Sequence, residues 1–274
     1  MKAFLRAWTG LLPLLIAVVL LIPGIALAQG KMPGTTACFP LHCWGIVDFN
    51  PGTFAFLGAQ TDDSVRGLGL GGNTKFLTNE VWLADTITYK SQGVSPWVEA
   101  GYGMGLNTVL NSHCGYNESF FWADYRANGG GFNIHCPAYV GSGDKGYNVR
   151  DCIWQDGTDS SAWFVRITPH SSAQMNGKST TNTMFPNDVD FGEDLSATDD
   201  GQGVNAPRST FVNNYYMDLN LNWHFWHNPP YAWNMGLSGI PNDPPWFGWV
   251  NGEDPNHDST GGKLYACTVG TSSC

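Results

Sequence analysis

Between Thr53 and Trp226, short apolar and aromatic runs alternate with polar residues, and clusters of Gly, Asn, Asp and Ser interrupt them at short intervals. A period of two is the geometry of a half-buried strand, whose successive side chains point to opposite faces. No window carries a 3.6-residue apolar stripe capped at both ends, so helices are not expected. The pattern predicts strands over 53–59, 76–89, 96–104, 118–126, 131–140, 147–154, 161–168, 183–195 and 209–225. Gly71-Gly72-Asn73, Asn128-Gly129-Gly130-Gly131 and Asp156-Gly157 supply turn chemistry between them. The expected fold is all-β: an antiparallel two-sheet jelly-roll sandwich of the concanavalin-like kind.

The two ends differ from this middle. Met1-Lys2 and Arg6, the apolar run Leu11–Ile22 and Ala26-Leu27-Ala28 form the three parts of a secretory signal peptide, so residues 1–28 are expected to be removed before Gln29. Pro13 and Pro23-Gly24 keep the apolar run below the roughly 20 residues of a spanning helix. Residues 29–75 read as an N-terminal strand and loop segment, and 76–226 as the sandwich core with its active site. Residues 227–274 hold Pro229-Pro230, Pro241 and Pro244-Pro245 among tryptophans, which predicts a loop-rich coat packed on the same domain.

Beyond residue 28 the chain has 11 basic against 23 acidic residues. Nucleic acid or an anionic membrane would require clustered Lys and Arg, so neither is an expected partner. All seven cysteines lie in this exported part, where disulfides form. Cys38 with Cys43 and Cys267 with Cys274 are near enough in sequence to close locally. Cys114, Cys136 and Cys152 then share one further bridge, and the odd number leaves one thiol over. No CxxC pair or clustered His accompanies them, so no metal or other cofactor is expected. His224 and His227, three apart on a strand, would face opposite sides.

The search for familiar chemistry finds no GxSxG elbow, HExxH, phosphate loop or EF-hand register. What remains are carboxylates set in apolar strands, where a charge is costly unless something uses it. Glu99 stands in Trp97-Val-Glu-Ala-Gly-Tyr102, and Glu193 in Val189-Asp-Phe-Gly-Glu193. If both reached one groove, their proximity would raise one pKa and leave the other group ionised, giving an acid and a base.

Trp97-Val-Glu-Ala-Gly-Tyr102, Phe120-Phe-Trp-Ala-Asp124, His135-Cys-Pro-Ala-Tyr-Val140, Ala162-Trp-Phe-Val165 and Asp190-Phe-Gly-Glu193 together resemble the ordered motif series of the neprosin family. The resemblance spans about residues 76–226. It implies a secreted glutamic peptidase with a β-sandwich catalytic domain that cuts after proline in acid. Its two catalytic glutamates fall by motif on Glu99 and Glu193. Trp97, Tyr102, Trp122 and Asp124, from the same motifs, become the expected substrate-binding residues, and the expected partner is a peptide or protein substrate.

Two other classes use the same features. A carbohydrate-binding module would stack sugars on some of the 12 Trp and 10 Tyr residues, with calcium held by the acidic stretch Asp188–Asp200. A jelly-roll glycoside hydrolase would also need two carboxylates at a set separation. The arrangement of Glu99 and Glu193 discriminates: a shared groove favours the peptidase, and opposite faces of a sheet favour the binding module.

Overall fold

The computed structural model describes residues 42–49, 56–71, 74–88, 95–109, 112–126, 131–181, 183–197, 209–225, 235–238, 247–251 and 264–268. The expected signal peptide, and Cys38 and Cys274 of the two expected local bridges, lie outside them. The described strands run β1 (His42–Phe49), β2 (Gly58–Ser64), β3 (Thr74–Ala84), β4 (Trp97–Met104), β5 (Ser119–Arg126), β6 (Gly131–Tyr139), β7 (Asn148–Asp156) and β8 (Asp159–Thr168). They continue with β9 (Met175–Thr180), β10 (Asp188–Ala197), β11 (Ser209–Met217), β12 (Trp223–Phe225), β13 (Met235–Ser238), β14 (Phe247–Asn251) and β15 (Leu264–Thr268). Among the described residues the helical content is one short turn at Leu106–Thr108, and no helix is long and apolar enough to cross a membrane.

These strands form two antiparallel sheets, so the all-β sandwich expected from the alternation is present. One sheet has the order β13-β1-β10-β3-β4-β5-β6, and the other β14-β15-β11-β2-β7-β8-β9. Alternate residues of each meet in the middle. Val81, Leu83, Val98, Tyr102, Phe120 and Phe191 from the first sheet and Val149, Ile153, Trp163, Val165, Ile167 and Phe211 from the second are buried in one cluster. Each large apolar side chain in that layer contributes roughly 2–3 kcal/mol relative to exposure, and it is the alternation that delivers so many to one face.

Two expectations need correction. The first concerns the tail, which is not only a coat of loops: β13, β14 and β15 extend both sheets, with β13 and β14 at the edges. The second concerns the expected strand 53–59, whose place is taken by Gly58–Ser64. This strand reads Gly-Ala-Gln-Thr-Asp-Asp-Ser and lacks an apolar period, yet it lies between β11 and β7. Side-chain partners make that possible: Thr61 donates to Asn214 at 2.7 Å, and Arg150 grips Asp62 through Nε and Nη2 at 2.6 and 2.8 Å. A polar strand can occupy a sheet centre when its groups are paired. β1 and β2 of the N-terminal segment belong to the sandwich, one in each sheet.

Of the three cysteines expected to share a bridge, Cys114 and Cys136 are joined, with Cα atoms 5.4 Å apart, and Cys152 is a buried free thiol. Burial pushes the Cys152 thiol up to about 12, so it acts as a small apolar group and not as a nucleophile.

Glycine has a specific task in β4. A Cβ on Gly101 would lie 2.0 Å from the carbonyl oxygen of Asn79 and 2.8 Å from the Cα of Glu80, both backbone atoms of β3. Neither can move aside as a side chain could. Gly101→Ala is therefore expected to destabilise the fold by about 3 kcal/mol, read as a lowered urea midpoint; an unchanged midpoint would show that the close approach is not needed.

Candidate active site

Opposed residues of neighbouring antiparallel strands share a face, so the register sorts every carboxylate of the first sheet. One row runs Asp190–Trp82–Glu99–Ala123–Ile134 across β10, β3, β4, β5 and β6. The next row on the same face is Gly192–Glu80–Gly101–Phe121. The row beyond these, Glu193–Asn79–Tyr102–Phe120, lies on the opposite face. That second face is the one turned to the other sheet, where Asn79, Tyr102 and Phe120 are fully buried.

By register, Glu193 and Glu99 therefore fall on opposite faces of one sheet. The physical reason is visible in β10 itself. Val189 and Phe191 pack in the core, no register shift intervenes before Glu193, and a period of two puts residue 193 on their face.

On the outer face a groove of about 380 Å³ opens, and Glu80, Trp97 and Glu99 line it together with Thr78, Phe121 and Tyr125. Its apolar floor is a second buried cluster, Leu106, Cys114, Phe121, Ala123 and Ile134. The Cys114–Cys136 bridge ties the segment after β4 to the edge strand β6 beside this cluster. The groove side of β4 reads Trp97, Glu99, Gly101, Gly103. The two glycines remove side chains from the floor, while Glu80 stands opposite Gly101 and diagonal to Glu99. Diagonal neighbours in such a ladder are within reach of long side chains, about 7–8 Å between backbones.

The residues around Glu99 form an ordered wall. Trp97 lies in the row Trp97–Tyr125–Phe132. Its ring stacks on Tyr125 with centroids 4.5 Å apart and planes 18° from parallel, and its centroid is 6.1 Å from that of Phe132. From this position the indole Nε1 donates to Glu99 Oε2 at 2.9 Å. Glu80 is 4 % exposed, whereas Glu99 is half-buried.

Of the expected substrate-binding residues, Trp97 lines the groove and the other three do not. Tyr102 is a core residue: its hydroxyl donates to the Ser64 carbonyl at 3.2 Å and accepts from the Arg66 backbone N–H at 2.9 Å and Asn79 Nδ2 at 3.0 Å. Trp122 and Asp124 share a face with Ala100 and Val98, turned away from the groove. Trp122 stacks on His135 at 5.2 Å, and Asp124 accepts from Asn133 Nδ2 at 3.1 Å. All three come from motifs, which do not encode a face.

Two acidic positions on the groove face were not singled out from the sequence, Glu80 and Asp190. For Asp190 a signal existed, since Val189, Phe191 and Leu195 alternate with Asp188, Asp190 and Asp194. For Glu80 the signal was weaker. It lies inside an expected strand, and only the neighbouring glycines of β4 make its position a groove.

This architecture is shared with a solved glutamic peptidase. The chain superposes on scytalido-glutamic peptidase, solved with a transition state analog inhibitor, with a TM-score of 0.50 at 9% identity over 82% of this chain and 98% of that one. SCP-B, a member of the Eqolisin family of peptidases solved with the tripeptide Ala-Ile-His, aligns over the same shares with a TM-score of 0.49 at 8% identity. At these identities the likeness is one of fold. No protein-family model matches the chain, and no curated protein matches it.

Proposed function

We propose that this protein is an exported peptidase that works in acid and hydrolyses peptide bonds in the groove of the first sheet, with Glu99 as general base and Glu80 as general acid. The observation that carries this reading is that both glutamates line one groove with apolar walls. The glutamic-peptidase fold and the neprosin-like motif around Glu99 support it, and the Cys114–Cys136 bridge suits an oxidising compartment. By register Glu193 falls on the opposite face from Glu99, the arrangement expected of a binding module; the peptidase reading rests instead on Glu80, which lines the groove together with Glu99.

The environments of the two glutamates differ in the sense that the chemistry requires. Glu80 is the more buried of the two, and the reading gives it the proton. Glu99 is more exposed and accepts an N–H hydrogen bond, which favours its charged form. With a water between them, Glu99 takes one proton as the oxygen forms its bond to the peptide carbonyl carbon. Glu80 then gives its proton to the amide nitrogen as the C–N bond breaks, releasing a carboxylic acid and an amine. Glu99 ends protonated and Glu80 ionised, and proton exchange with solvent restores the start. One proton shared by two close carboxylates is held only in acid, so the rate should fall towards neutral pH. The apolar floor at Leu106, Phe121 and Ile134 suits an apolar or proline-containing peptide.

The test is a mixed peptide library incubated with the processed protein from pH 2 to 8, with cut positions read by mass spectrometry. Cleavage in acid that Glu80→Gln removes and Asp190→Asn preserves is the expected result. Retention of cleavage by Glu80→Gln with loss in Asp190→Asn would transfer the acid role to Asp190. No cleavage at any pH, with sugar binding at the Trp97–Tyr125 wall, would favour the binding module.

A further inference from the structure

Resting on that reading of Glu99 as the base, we infer that Trp97 is a positioning residue that holds Glu99 ionised and aimed into the groove, and is not a surface on which substrate stacks. Three observations point to this. Trp97 and Glu99 are two apart on β4 and so project from the same face, with the indole N–H directed at Oε2 at 2.9 Å. The indole ring is fixed by its stack on Tyr125 and by Phe132, so the N–H approaches from a set direction. One face of the ring is already covered by that stack, which leaves less of it for a ligand.

The chemistry of the donor decides the consequence. An indole N–H donates and cannot accept, so it always presents hydrogen to the carboxyl group. Such a bond is stronger to a carboxylate than to a neutral carboxylic acid, and it therefore holds the base ready at lower pH. Other ionisable groups share this face. Lys75, Glu80 of β3 and Tyr125 of β5 line the groove with Glu99, and the position of Asp190 on β10 falls on the same face by register. A lysine here favours the charged base in the same sense as the indole N–H, and an ionised carboxylate opposes it. Trp97 thus helps the base stay ionised in the acidic range where its partner keeps a proton.

Trp97→Phe tests this because phenylalanine keeps a ring on Tyr125 and removes only the N–H. The acid limb of the kcat/KM profile, where the base becomes protonated, should move to higher pH by about one unit. The alkaline limb should stay in place. The titration of Glu99 followed by carboxyl carbon NMR in the unliganded protein, assigned with Glu99→Gln, should shift in the same direction; this readout needs no activity and also shows that the variant is folded. An unmoved acid limb and an unmoved Glu99 titration, in a protein that Glu99→Gln inactivates, would overturn the role of Trp97 alone. Full activity of Glu99→Gln would instead remove the reading on which it rests. A raised KM with both limbs in place would return Trp97 to substrate contact.

Discussion

Glu99→Gln is expected to lower the rate of peptide cleavage by about a thousandfold or more while leaving the fold intact. Glutamine keeps the length of the side chain, and its amide oxygen can still accept from Trp97 Nε1, so the 2.9 Å contact that orders the groove wall survives. It cannot take a proton from water. The loss should therefore appear in kcat, with KM little changed, because an interaction made only as the bond forms has been removed. The Tyr125 stack and the apolar floor lie outside the change, so the urea midpoint should remain close to that of the parent. Measuring kcat, KM and the midpoint on the same preparation separates the outcomes. A variant that cleaves at the parent's rate would show that Glu99 is not the base, whatever the role of Glu80.

Raising the pH from 4 to 8 is expected to weaken the folded state, and Asp151→Asn is expected to flatten that dependence. Asp151 lies on β7 between Thr61 of β2 and Ile167 of β8, fully buried, and neither carboxyl oxygen has a hydrogen-bond partner among the described residues. Burial first, and then the charge of nearby Asp62, push its carboxyl up to about 8 from its ordinary 3.8. Between those two values the folded protein holds a proton that the unfolded chain has released. Stability from this group is therefore fully present below about pH 4 and is lost progressively as pH rises to about 8. Over that interval the parent should lose on the order of 4 kcal/mol more than a variant whose side chain cannot ionise. Denaturant melts of both proteins at pH 4, 6 and 8 would reveal it, and parallel curves would exclude Asp151 as the cause. A sandwich that is firmest in acid matches a catalytic pair that needs a shared proton.

The all-β class and eight of the nine expected strands were legible in the sequence because alternation is a local signal. Strands β4 to β8 agree with the expected ones to within about two residues, since each has enough apolar positions to state its own period. β2 was misplaced and β9 missed because neither Gly58–Ser64 nor Met175–Thr180 carries an apolar stripe. Their places depend on partners far along the chain, such as Asn214 for Thr61, which no local window contains.

The face of each carboxylate was also written in the sequence, although the motif order pointed elsewhere. Val189, Phe191 and Leu195 assign residue 193 to the apolar register, and Val98 and Ala100 assign residue 99 to the other. Motif resemblance supplies residue types in order, but not which side of a sheet they occupy. Only the tertiary structure could place Glu80 diagonal to Glu99 or set Trp97 between Tyr125 and Glu99, because strand order and register arise from pairings between segments. A period of two is a property of one strand, and a groove is a property of several strands, whose neighbours are chosen by the packing of the whole sandwich.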